Sequence, residues 1–162
     1  MDGSDVENAL EAAEQTFQLR AEVVEPGLDV DDDALVQLRK GCRLLTAARV
    51  MRERDAHTVV VETSFASIER LIHFYLLRQT ALDASEYLDH EMVYRKAASG
   101  ANLYSDEIRD MFLQLWRENR SRTYYRQFVG GEKHADAMLN LAEAVHDHVL
   151  GLARATHECG CD

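Results

Sequence analysis

The chain has 162 residues, enough for one domain with a buried core. Its formal net charge of −11 excludes a protein that coats duplex nucleic acid through an extended basic face. No apolar run approaches the roughly 18 to 20 residues of a membrane span, and the acidic opening MDGSDVENALEAAEQ is unlike a secretory leader, which is basic and then apolar.

These features predict a cytoplasmic protein with no membrane partner. Cys42, Cys159 and Cys161 are an odd count that makes no disulfide framework and fits a reducing compartment. Lysine occurs only at Lys40, Lys96 and Lys133, and isoleucine only at Ile68, Ile72 and Ile108. With the acidity, this bias points to a halophilic, archaeal type of protein, whose hydrated carboxylates keep it soluble while salt screens their repulsion.

In chain order, the pattern predicts helices throughout. Val6, Leu10, Ala13 and Phe17 recur at helical spacing behind Ser4, a candidate N-cap, and define an amphipathic helix over about 4–24. The single proline, Pro26, breaks it. Asp31, Asp32 and Asp33 cap a second helix running to about 54 through Leu35, Leu38, Cys42 and Leu45, with Gly41 as its weak point. The β-branched opening of TVVVE is strand-like, but Phe65, Ile68, Ile72, Tyr75 and Leu76 set a helix over about 58–79, apolar enough to be central. A fourth helix is predicted over about 84–98. Ser105 and the acidic SDE start a fifth through Ile108, Met111, Phe112, Leu115 and Trp116, and Ala135, Met138, Ala142, Val145 and Val149 mark a last helix over about 132–155. The expected fold is an all-α antiparallel helical bundle, divided into an N-terminal helical extension (1–56), the bundle proper (57–156) and a flexible tail (157–162).

Histidines and cysteines suggest no metal centre at this level. His146 and His148 are two positions apart and face different ways, unlike the i, i+4 spacing that pairs ligands on one helix face. His157, Cys159 and Cys161 in HECGCD are soft ligands in a short flexible run that could chelate zinc or copper, with incidental composition of a flexible tail as the preferred account. No metal and no cofactor are therefore expected.

The stretch WRENRSRTYYR, residues 116–126, stands out. Arg117 and Arg120 share one helix face with Tyr124 a turn further on, while Arg122 and Arg126 lie on another. Arginines at a helix C-terminus complement the macrodipole and pair with surface carboxylates. Alternatively, guanidinium forks and tyrosine hydroxyls converge on a phosphate while the rings stack a base.

The block SFASIERLIHFYLL, the DHE of the fourth helix, LYSDEIRDMFLQLWRENRSRTYYR and HADAMLNLAEAVHDHVL together resemble the HEPN superfamily of nucleotide-binding and ribonuclease bundles over roughly the C-terminal two thirds. That family carries an Arg-x(4–6)-His motif. Arg120 matches its arginine, with Arg117 as second choice, and Tyr125 stands where the histidine belongs. The resemblance implies a homodimer binding RNA or a nucleotide at Arg117, Arg120, Arg122, Tyr124 and Tyr125, in a toxin–antitoxin or defence setting with a nucleotidyltransferase partner. An unperturbed tyrosine titrates near pH 10 and is a poor base, so binding without catalysis is the leading expectation. The alternatives are a metal-independent ribonuclease whose proton-transfer group is Tyr125 or a displaced histidine, with His73 and His90 as candidates, and a structural or regulatory helical dimer without nucleic acid; Glu69 of the third helix pairs either with the motif arginine or with Arg70 or Arg78 at the surface.

Overall fold

The computed structural model describes residues 3–18, 25–86, 88–119, 121 and 131–161. Its six α-helices and one 3₁₀ turn make the protein an all-α bundle, as expected, and no strand occurs among the described residues. No helix there is long and apolar enough to cross a membrane.

Helix α1 covers Gly3–Gln18, so Ser4 lies inside it; residues 19–24 lie outside the described part. Its apolar side chains Val6, Leu10 and Phe17 are exposed. Helix α2, Asp33–Glu53, begins where the Asp32 carboxylate accepts the Leu35 N–H at 3.0 Å, the capping role expected of the aspartate run. It ends in a turn through Asp55, at φ 55°, which leads directly into α3, His57–Arg78.

The strand-like TVVV lies inside α3, where burial of Val60 and Val61 outweighs the local β preference. Ile68, Leu71, Ile72, Phe74 and Leu76 have no exposed surface, and each contributes about 1.5–3 kcal/mol of hydrophobic stabilisation. This helix is the centre of the bundle: α2 and α6 pack against it, and α4 covers it further along. Leu38, Cys42 and Leu45 of α2 enter the same core, so residues 33–53 are an integral wall of the bundle and not an extension to it.

Gly41 has a packing reason. A Cβ there would lie 3.1 Å from two Leu71 side-chain atoms, and Ser67 Oγ donates to the Gly41 carbonyl at 2.8 Å. The small residue lets α2 and α3 approach closely.

Helix α4, His90–Ser99, starts later than the expected 84. The Asp83 carboxylate accepts the Ser85 N–H at 2.8 Å, and Glu86 accepts the Asp83 N–H at 2.9 Å. These local bonds hold a turn, and Asp89 then caps α4 through the Met92 N–H at 2.8 Å. Helix α5, Asp106–Glu118, starts at Ser105 and packs mainly on α4. Helix α6, Glu132–Ala153, ends at Arg154 in the left-handed region, φ 53°. That residue redirects the chain into the 3₁₀ turn Thr156–Glu158. The following segment lies back against the bundle, with Ala155 buried and Glu158 paired to Arg78 of α3, where a free tail was expected.

Candidate metal centre

Cys42 sits in the middle of α2 on its buried face, and His146 occupies the buried face of α6. The reversal after Arg154 carries Cys159 and Cys161 to the same point. The four potential ligand atoms, three Sγ and one imidazole nitrogen, all lie within 4.8 Å of one another. Cys42 Sγ is 3.8 Å from Cys159 Sγ and 3.9 Å from His146 Nε2, while Nε2 is 3.2 Å from the Sγ atoms of both Cys159 and Cys161. Zinc–sulfur and zinc–nitrogen bonds of about 2.3 and 2.0–2.1 Å at tetrahedral angles place ligand atoms about 3.6–3.8 Å apart. The observed spacings bracket that value. They are too long for a disulfide, which holds its sulfurs at about 2.05 Å, and all three cysteines are free.

The histidine is oriented for the role. Its Nε2 faces the thiols, and Nδ1 lies 3.0 Å from the Asp147 carboxylate, the carboxylate–histidine arrangement that fixes the tautomer of a metal-binding imidazole. The electrostatics agree. The Cys42 thiol is held below its ordinary range, chiefly by the hydrogen bond from Cys161 and further by His146, against the opposing effect of burial. Cys161 is pushed up, chiefly by its hydrogen bond with Cys42 and further by burial. The contact with Cys42 also raises His146 to about 9. A metal ion bound here would take the place of the thiol and imidazolium protons.

Of the soft ligands in the tail, His157 stands apart from the cluster. His157 is exposed and lies 3.6 Å from Glu158, so Cys159 and Cys161 meet His146 and Cys42 instead. His146 and His148 do face different ways: His148 Nε2 contacts the Leu103 carbonyl at 3.2 Å, and its ring stacks on Tyr104. Cys42 was legible only as a core position. The one available signal was that Cys-x-Cys needs two further soft ligands to complete a zinc set.

Of the basic strip, Arg120, Arg122, Tyr124 and Tyr125 lie outside the described residues. Arg117 is exposed and forms a two-pronged pair with Glu91 of α4, at 3.0 and 2.7 Å. His90, the first residue of α4, lies with Nδ1 2.8 Å from Glu69 and stacks on Trp116, ring centroids 5.6 Å apart. Burial raises the Glu69 pKa, opposed by the His90 contact. Glu69, His73 and His90 line one cavity beside α3, and burial lowers His73 to about 4, leaving that ring neutral.

An all-α bundle with a Cys3His cluster joining two helices and a C-terminal segment defines the class. The chain matches the family described as Domain of unknown function (DUF8154) over residues 1–161 and belongs to it. No curated protein and no solved structure matches the chain.

Proposed function

We propose that the chain is a zinc-binding helical bundle in which Cys42, His146, Cys159 and Cys161 hold one structural ion. The convergence of four ligand atoms within 4.8 Å, drawn from α2, α6 and the terminal segment, carries this reading. Three thiolates and one imidazole suit zinc: the donors are soft and the spacing is tetrahedral. All four positions are filled by protein groups, as in structural rather than catalytic centres. The ion would tie the last residues to the core, where they otherwise rest on Ala155 and the Glu158–Arg78 pair. Metal analysis of the purified chain is expected to find one zinc per molecule. Replacement by cobalt(II) should give the visible absorption of a tetrahedral thiolate site. A chain that takes up neither ion at neutral pH overturns the proposal.

A second reading concerns residues 117–126. We propose that this strip binds RNA or a nucleotide in the manner implied by the HEPN resemblance, within a toxin–antitoxin or defence system. What supports it is His90, oriented by Glu69 and stacked on Trp116, the residue that precedes Arg117. RNA binding and cleavage should be compared in high-potassium buffer between the native chain, Arg120→Ala and His90→Ala. Loss of binding in the arginine variant is expected. Cleavage lost in His90→Ala would identify the displaced histidine, and binding indifferent to Arg120 removes the reading.

A further inference from the structure

The three cysteines of the cluster differ in access. Cys42 has no exposed surface, whereas Cys159 and Cys161 are only half-buried. Beside the terminal pair lies an open cavity of about 460 Å³, lined by His146, Asp147, Thr156, Cys159 and Cys161 but not by Cys42. A small solute therefore reaches the terminal sulfurs without any unfolding, and Cys42 stands behind them.

Two of these sulfurs are already placed to join. Cys42 Sγ and Cys159 Sγ are 3.8 Å apart although 117 positions separate them in the chain, so folding has already closed the loop between them. Glu158, the residue before Cys159, pairs with Arg78 of α3, and Ala155 is buried. These contacts hold Cys159 against α2 without any ion. A disulfide needs the two sulfurs at about 2.05 Å, an approach that rotation of the half-buried Cys159 side chain supplies.

We propose that Cys159 is a peroxide-sensitive site whose oxidation ends in a Cys42–Cys159 disulfide, removing two of the four donors from the Cys3His cluster. In the first step the Cys159 thiolate attacks one peroxide oxygen. An S–O bond forms, the O–O bond breaks and hydroxide leaves, giving the sulfenic acid. The Cys42 thiolate then attacks the Cys159 sulfur; the S–S bond forms, the S–O bond breaks and a second hydroxide departs. The two sulfurs have given two electrons to the peroxide, and two protons from solvent turn the hydroxides into water. His146 and Cys161 remain, too few donors for a closed tetrahedral site. The terminal segment stays joined to α2 through the disulfide, so the end of the chain remains docked after the ion is lost.

The loss of zinc rests on the metal reading above, while the cross-link rests on the sulfur geometry alone, and the experiment separates them. Zinc-loaded and metal-free samples of the full chain are treated with hydrogen peroxide. A chromophoric chelator measures the zinc set free, and intact mass with non-reducing peptide mapping measures the link. One zinc released per disulfide is expected, with the Cys42 peptide joined to the terminal peptide in both samples and zinc binding recovered after reduction with dithiothreitol. Metal-free Cys161→Ser, in which Cys159 is the only terminal thiol, should still form the link, with an unchanged helical circular dichroism spectrum showing that it folds. A loaded chain that keeps its zinc and three reduced cysteines overturns the proposal. So does oxidation that joins Cys159 to Cys161 or links two chains, and so does a Cys161→Ser chain that forms no link. A chain that takes up no zinc yet forms the link upholds the cross-link and removes the metal reading alone.

Discussion

Cys42 Sγ lies 3.9 Å from His146 Nε2 across 104 residues of chain, and that contact bolts the centre of α2 to α6. If the pair holds zinc, Cys42→Ser should abolish stoichiometric zinc binding and lower stability. An ion present at about a thousand times its dissociation constant contributes roughly 4 kcal/mol. Denaturant unfolding with and without a chelator checks this: the chelator should destabilise the native chain strongly and the variant hardly at all. His157→Ala, outside the cluster, should leave zinc content unchanged.

Asp147 supports the centre without being a ligand. Its carboxylate 3.0 Å from His146 Nδ1 orients the ring, so Asp147→Ala is expected to weaken zinc affinity about 10- to 100-fold while retaining one-to-one binding. Competition with a chromophoric chelator measures the change, and unaltered affinity would show that the contact is incidental.

His73 gives an acid-limb prediction. Burial, helped by Arg70, lowers its folded pKa to about 4 from the ordinary 6.5. Between those values the unfolded chain binds the extra proton, so stability is full above pH 6.5 and falls as the pH drops towards 4. The contribution is on the order of 2 kcal/mol once solvent screening of this half-buried ring is allowed for. Unfolding of metal-free His73→Leu across this window should show a flatter pH dependence than the metal-free native chain; parallel curves would refute the assignment.

Gly41→Leu tests the approach of α2 to α3. Atoms of Leu71 lie 3.1 Å from the position a Cβ would take, so a larger side chain must push the helices apart, at a cost of about 1–3 kcal/mol for overpacking. A lowered denaturation midpoint is expected. Zinc affinity should also fall, because Cys42 is the next residue.

Much of the fold was legible because it rests on interactions between near neighbours in sequence. The aspartates before α2 and Ser105 before α5 act as caps within three residues, and the repeat from Phe65 to Leu76 marks α3 without reference to any other helix. The start of α4 was misplaced because Asp83, Ser85 and Glu86 bond to one another in a turn, a choice that hydrophobic spacing does not record. The Cys3His cluster was missed for the opposite reason. Cys42 reads as one more apolar position, and His146 was compared only with His148, its neighbour on the same helix.

By itself, then, the sequence determined helices, the caps of α2 and α5 and the central place of α3, since propensity, capping and 3.6-residue periodicity act over a few residues. Tertiary structure alone decided that Cys42, His146, Cys159 and Cys161 share one site and that α2 is a wall of the core. Both depend on how α2, α3 and α6 pack and on the reversal at Arg154, contacts between residues far apart in the chain whose partners no local pattern encodes.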